Sequence, residues 1–334
     1  MLKYKTTFYL IGLAVIGGFF PVLITNAYFV HLLTMTIIFA ILALSLDIII
    51  GQMGQFSFGH QAFFGIGAYT TAILTTRFNV PLWVAIFAGI ALPCILGLIV
   101  GLMSLKRARG FFLGIITLAV VKLVTLTTYS WQSLTNGRGG IANVPPIRFS
   151  FFDWVSIELD NEYKFYYFAL VALILVIYLI QAGIRSRLGR AICAIRENED
   201  LAKSIGINTY LVYVVAFTFA CALAGFAGVL YAHYMKLAPP NLFNHEITLW
   251  LLIIVVVGGS RSFTGIIFGA VIYIFLPEWF DFADEYRMIL ISILLLFCIL
   301  FLRQGIVPTI LRYMKNWLEW RQAFRANRKK AIRT

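Results

Sequence analysis

Uninterrupted apolar runs of membrane-crossing length recur along the whole chain, and they constrain the fold more than any other feature. About 20 apolar residues at about 1.5 Å each cross the hydrocarbon core of a bilayer. Runs near that length, bounded by charge or by Gly and Pro, occupy roughly 8 to 27, 31 to 50, 60 to 76, 81 to 105, 111 to 130, 163 to 183, 210 to 235, 243 to 258, 265 to 277 and 287 to 303. The first follows Lys3 and Lys5 like a signal peptide, but its run is long and no A-x-A site follows, so it reads as a retained span. Composition agrees: 61% of the 334 residues are hydrophobic, 12% are charged and mean hydropathy is +0.90, which excludes an ordinary soluble enzyme. The expected fold is an all-α, polytopic integral membrane protein with about ten transmembrane segments, some interrupted by Gly. Residues 1–305 form its transmembrane domain and 306–334 a basic tail.

The net charge of +13 would suggest nucleic acid in a soluble protein, but here its distribution reports topology. Basic residues gather at Lys3 and Lys5, at Lys106, Arg107 and Arg109, between Arg185 and Lys203, and in the tail from Arg303, where Glu319 is the sole acid. The positive-inside rule puts all four clusters, and both termini, in the cytoplasm. Acidic residues gather instead at Asp153, Glu158, Asp160 and Glu162, and at Glu278, Asp281, Asp284 and Glu285, which places those loops outside. Even numbers of crossings then fit between successive same-side loops. The pair between Ile247 and Leu276 is tight, so its two helices are short and tilted or re-entrant. Trp317, Trp320 and Phe324 among the tail's basic residues leave it either lying on the inner lipid surface or solvated. Cys94, Cys193, Cys221 and Cys298 stand singly, which indicates neither a disulfide framework nor a zinc site, and no cofactor is implied.

The stretch GQMGQFSFGH at 51 to 60 sets polar side chains and three glycines between two apolar runs, so no helix passes smoothly through it. A new helix from about Ser57 would offer free N–H groups and a positive dipole end to an anionic group such as a carboxylate. Such broken helices bind substrate in several transporters; the plainer reading is an inner-side turn between two spans. A second interruption, GGSRSFTG at 258 to 265, favours the first reading and makes Gly258, Gly259 and Ser260 candidates beside Gln55, Ser57, Gly59 and His60. His60 could equally be a hydrogen-bonded structural residue, and His31, His233 and His245, near membrane edges, are given no role. Asp47 and Lys122 are ionisable groups within apolar runs. Each is costly facing lipid, so the two either neutralise one another or belong to the substrate path. Gly89, Pro93, Gly97 and Gly101, and Ala220, Ala224 and Gly228, form small-residue ridges for close helix packing. The turn-rich loop at 131 to 162 reads as a structured outer loop that could receive a partner.

The cytoplasmic segment GRAICAIRENEDLAKSIGIN at 189 to 208 carries its own helix signals. Asn198 is an N-cap, Glu199 and Asp200 suit the positive end, Lys203 suits the last turn and Gly206 ends the helix. Leu201, Ala202 and Ile205 give seven or eight residues an apolar face, fit for a partner's groove or for resting on the body of the chain itself.

GQMGQFSFGHQAFFGIGAYTTA, AIRENEDLAKSIGIN and VVVGGSRSFTGIIFGAVI, in this order, resemble the permease subunits of ABC importers for branched-chain amino acids, with urea-type permeases as close relatives. The resemblance covers about residues 30 to 305. It implies a subunit of the bacterial inner membrane that works with a second, similar permease, two cytoplasmic ATPases and a periplasmic solute-binding protein. It also implies ATPase contact at Glu197, Asn198, Asp200, Leu201 and Ala202, and a signature break at Gln55, Ser57, Gly59 and His60. Where relatives resembling it are expected to hold a neutral amide near 47 and an acid near 122, this chain has Asp47 and Lys122, which bears on the solute. No GxxxxGK[ST] occurs, so ATP is bound by another chain. The expected function is the pore subunit of an ATP-driven importer of a small polar solute, branched-chain or related amino acids, and not an enzyme. A urea or amide permease and a self-sufficient ion-coupled carrier are the alternatives.

Overall fold

The computed structural model describes residues 26–107, 110–151 and 155–279, with scattered positions at 17, 18, 21, 293, 296, 305–307, 309, 313 and 317. Most of the expected spans at 8 to 27 and 287 to 303, the acidic residues from Asp281 to Glu285 and most of the basic tail lie outside the described residues. Residues up to Leu252 form one compact unit and those from Ile253 a second; each is described by itself.

In the first unit, α1 (Ala27–Asp47) runs on into a π-helical turn, Ile48–Gln52. α2 (His60–Thr76), α3 (Leu82–Ser104), α4 (Phe111–Ser130) and a single turn, α5 (Gln132–Thr135), follow. After a small β region come α6 (Glu162–Arg185), α7 (Arg187–Glu197), α8 (Glu199–Ser204) and α9 (Thr209–Met235). The main helices begin locally: Asn26, Asn161 and Asn208 cap α1, α6 and α9 by accepting from Tyr28, Tyr163 and Leu211 N–H groups. Among the described residues, five helices are long and apolar enough to cross a bilayer: the α1–π run, α3, α4, α6 and α9. Their bounds fall within a few residues of the expected spans, and they make the chain an all-α polytopic membrane protein.

α9 packs against α2 and α3 where small residues let backbones meet. A β-carbon on Gly67 would strike the Gly225 carbonyl, one on Gly228 the Phe64 carbonyl, and one on Gly97 the Cys221 side chain. The ridges expected at Gly89 to Gly101 and Ala220 to Gly228 are therefore the contact surfaces. Phe63 and Phe217, fully buried, meet edge to face with ring centroids 5.9 Å apart. The opposite faces of α3 and α6 expose Trp83, Phe87, Ile95 and Met103, and Val171, Leu175 and Tyr178.

Long-range ties sort the helix ends. At one end Arg77 of α2 donates to the Ser133 carbonyl, β1 (Ile141–Ala142) pairs antiparallel with β4 (Leu237–Ala238), and Lys236 meets Asp160 at 3.0 Å. Here too β2 (Arg148–Phe151) and β3 (Val155–Glu158) form a hairpin, so the loop at 131 to 162 is structured. At the other end Tyr210 donates to the Leu102 carbonyl at 2.8 Å and α7 reaches the π turn. Successive helices thus alternate in direction, as the charge pattern requires. His31 and His233 are structural: Nδ1 of His31 lies 2.9 Å from the Tyr234 hydroxyl, and His233 joins Thr71 to the Pro145 carbonyl.

In the second unit, the end of α10 (His245–Gly258) turns back into α11 (Phe263–Trp279). Both are short, as the tight spacing requires. Gly258 and Gly265 lie so close that a β-carbon on either would strike the other's carbonyl, and Gly259 (φ 101°) takes the left-handed turn that glycine permits.

Candidate functional site

The interruption between α1 and α2 is built from residues that cannot continue a helix. Met53 N–H donates to the Ile48 carbonyl and Gln55 N–H to the Ile49 carbonyl, each at 3.0 Å, which widens the final turn. Gly51 sits so close to Asp47 that a β-carbon would collide with the carboxylate. Gly54 has φ 68°, a left-handed conformation costly for other residues. α2 begins at His60, where the expected span of 60 to 76 begins and three residues beyond the helix start near Ser57 considered for the break, and Gly59 rather than a capping side chain precedes its first turn. A β-carbon on Gly59 would strike the Thr117 carbonyl of α4, so the break is pressed onto that helix.

The polar side chains of the break fall into two groups. Gln55 is satisfied: its Oε1 accepts from Gly110 N–H at 2.5 Å and its Nε2 lies 3.4 Å from the Tyr213 hydroxyl. Thr117 likewise accepts from Phe58 N–H at 3.1 Å. Ser57 Oγ, His60 Nδ1 and Gln61 Nε2 are buried without a hydrogen-bond partner. Their other atoms are held. Gln61 Oε1 accepts from Thr248, and His60 Nε2 lies 2.7 Å from Ser45 Oγ. The Ser45 hydroxyl donates its one proton to the Leu42 carbonyl at 2.6 Å, so His60 Nε2–H donates to Ser45 and Nδ1 is left as a bare acceptor. Ser45 is seven residues before Gln52, so His60 starts its helix about 10 Å inside the end of the α1–π run. A buried polar atom without a partner costs about 1–3 kcal/mol, and the first residues of α2 and the break before it hold three of them.

Asp47 and Lys122 are not brought together. Asp47 is buried at the end of α1, Lys122 is exposed on α4, and no ion pair joins them. Gly258, Gly259 and Ser260 lie in the turn of the second unit, with Ser260 exposed.

α8 has the capping expected of it. Asn198 Oδ1 accepts from Leu201 N–H at 3.0 Å, and Lys203 pairs with Glu199 at 3.0 Å. It is a six-residue helix, shorter than the sequence suggested, because Ile205 (φ -92°, ψ 14°) already leaves the helical conformation before Gly206 (φ 84°) turns the chain away. Leu201 and Ile205 are 63% and 68% exposed while Ala202 is 1% exposed, so Ala202 packs inward and the apolar outer face is the other two. Glu197 and Asp200 are exposed. One residue that the sequence did not single out joins this region to the break. Arg196, in the last turn of α7, donates its Nη1–H to the Gly51 carbonyl, and its stem lies beside Gly54. Its position among several arginines in 185 to 196 carries no signal of that contact.

Residues 28–299 match the family model described as "Branched-chain amino acid transport system / permease component". The chain is 30% identical over 322 residues to the high-affinity branched-chain amino acid transport system permease protein LivM of Salmonella typhimurium, an alignment covering 91% of this chain and 75% of that protein. The LivM of Escherichia coli is 29% identical with the same coverage. The permease protein BraD of Pseudomonas aeruginosa is 25% identical, over 82% of this chain and 93% of its own length. No solved structure matches.

Proposed function

The chain belongs to the permease components of branched-chain amino acid transport systems, and from that premise we propose how its residues carry a solute and take up the work of ATP. It is the membrane-spanning pore subunit of an amino-acid importer and not an enzyme.

Substrate passes along the break between α1 and α2. The observation that carries this reading is the set of partnerless polar atoms of Ser57, His60 and Gln61 at the start of α2. A zwitterionic amino acid has complementary groups. Its ammonium can donate to the bare His60 Nδ1, while its carboxylate can accept from Ser57, from Gln61 Nε2–H and from the free N–H groups of the α2 N-terminus. Aliphatic side chains suit the surrounding apolar wall. Gln55 and Gly59 shape the break, and Asp47 lies at the end of α1 that leads into it. Ser57, His60 and Gln61 are buried, and alternating access would open the break to solute.

The segment from Glu197 to Ile205 faces the cytoplasm and engages one of two ATPase subunits. Leu201 and Ile205 provide the apolar contact, Glu197, Asn198 and Asp200 the polar rim, and Ala202 anchors the helix from behind. A second, similar permease and a periplasmic binding protein complete the importer in the bacterial inner membrane. The topology has about ten spans over residues 1–305 and both termini inside, with 306–334 as a basic tail.

Uptake of radiolabelled leucine by cells expressing the complete transporter tests the reading. Ser57→Ala together with Gln61→Leu should cut uptake about tenfold while the protein still reaches the membrane, the loss expected for one or two hydrogen bonds to a charged group. Unchanged uptake would remove the break from the path.

A further inference from the structure

The π turn at the end of α1 has carbonyls with no helical partner beyond it, because the chain leaves the helix at Met53. That end is the negative pole of a long helical run, where a cation is favoured. Arg196 supplies it: its guanidinium donates to the Gly51 carbonyl, while its Cγ and Nε are 3.4 and 3.5 Å from where a β-carbon on Gly54 would lie. The arginine stem therefore packs at van der Waals distance on the Gly54 turn, a position that its φ of 68° suits to glycine.

A single residue separates α7, which holds Arg196 in its last turn, from α8. Asn198, two residues on, closes α7 by donating its N–H to the Ala194 carbonyl at 3.1 Å, and opens α8 by accepting Ala202 N–H at 3.0 Å. One residue, in extended backbone, thus serves both helices. The first turn of α8 is tied to the start of α9 as well, since Glu199 accepts from the Thr209 hydroxyl at 3.2 Å and pairs with Lys203. A displacement of Leu201 and Ile205 is therefore a displacement of the Arg196 backbone.

We propose that Arg196 is the positioning residue through which movement of α8 reaches the substrate break, by holding or releasing the Gly51 carbonyl. The inference rests on the reading of α8 as the ATPase contact. The π turn is the element with two arrangements. Its carbonyls can be engaged five residues on, as here, or four residues on in an ordinary helix, and the exchange changes the register at which the chain enters 53 to 59. With the guanidinium seated on Gly51 the turn keeps its π register and Ser57, His60 and Gln61 stay enclosed. When α8 is carried away by the ATPase, the carbonyl is freed and the break rearranges.

The test uses the whole complex, purified through a tag on this chain with its ATPase subunits, reconstituted in liposomes and supplied with binding protein and radiolabelled leucine. Arg196→Gln is expected to retain the ATPase subunits and basal ATP hydrolysis while leucine moved per ATP hydrolysed falls about tenfold, within the usual span of coupling between sites. Arg196→Lys, which keeps the charge on a shorter reach, is expected to recover part of that ratio, and it carries the test alone if the Gln variant fails to accumulate. A wild-type ratio in both variants overturns the inference, and so does loss of the ATPase from either variant, which would make Arg196 a docking residue. If the unmodified chain retains no ATPase, or retains it through a surface that Leu201→Asp does not disturb, the reading of α8 fails, and the inference with it.

Discussion

The His60 imidazole at the first residue of α2 reaches back 15 positions to the Ser45 hydroxyl in α1, 2.7 Å from Nε2, and this contact fixes which ring nitrogen is left bare. Its two sides can be separated experimentally. Ser45→Ala removes the partner of His60 Nε2–H and should destabilise the protein by about 1–3 kcal/mol, the usual cost of stranding a buried donor. His60→Leu removes the unpaired Nδ1 together with the ring and leaves Ser45 bonded to Leu42, so thermal stability in detergent should hold or rise while leucine uptake falls about tenfold. A parallel loss of stability and uptake in His60→Leu would make the histidine a structural residue.

Glycine substitutions should divide by what a methyl group would meet. Gly59→Ala drives a β-carbon into the Thr117 carbonyl, where neither backbone can give way, and should cost about 1–3 kcal/mol or prevent accumulation. Gly183→Ala in α6 meets nothing within 4 Å and should be neutral or stabilising by up to about 1 kcal/mol. Melting temperatures of the two purified proteins decide; equal effects would contradict the packing of the break on α4.

Leu201→Asp and Ala202→Glu should fail differently although they are adjacent. Leu201 is exposed, so its aspartate leaves the chain folded and releases the ATPase, read as loss of co-purification. Ala202 is enclosed by its own chain, so a glutamate there buries a charge and lowers the yield of folded permease itself. Matching behaviour, with both folded and both released, would show that Ala202 faces the partner.

Thiol labelling from outside the cell should mark Asp160→Cys and Lys236→Cys, which sit together at one end of the bundle, and spare Asp200→Cys and Lys203→Cys at the other. Breaking the exposed Asp160–Lys236 pair costs no more than about 1 kcal/mol, so these variants remain folded. Labelling of both pairs from one side would overturn the alternating order of the helices.

How much of this was legible in the sequence depends on how far apart the interacting residues are. Local signals were readable: the apolar runs that became α1, α3, α4, α6 and α9, the interruption at 51 to 59, the Asn198 cap, the stop at Gly206, and the small-residue ridges of α3 and α9. Each rests on residues within a few turns of one another, where sequence spacing is spatial spacing. That the last residues of the break are held by α4, through Thr117, and not by any local cap could not be read from local spacing.

The pairings across the fold were settled by tertiary structure. Asp47 and Lys122 looked like partners because both interrupt apolar runs at comparable depth, yet one faces inward and the other outward. Arg196 could not be told from its neighbouring arginines until α7 was set beside the π turn. The physical reason is common to both: helices made for lipid are apolar on every face, so the periodic alternation that marks the inner side of a soluble helix is absent. Their sequences determine that they span and where they break, whereas the close approach of glycine backbones determines which helices meet, and so which side chains face one another.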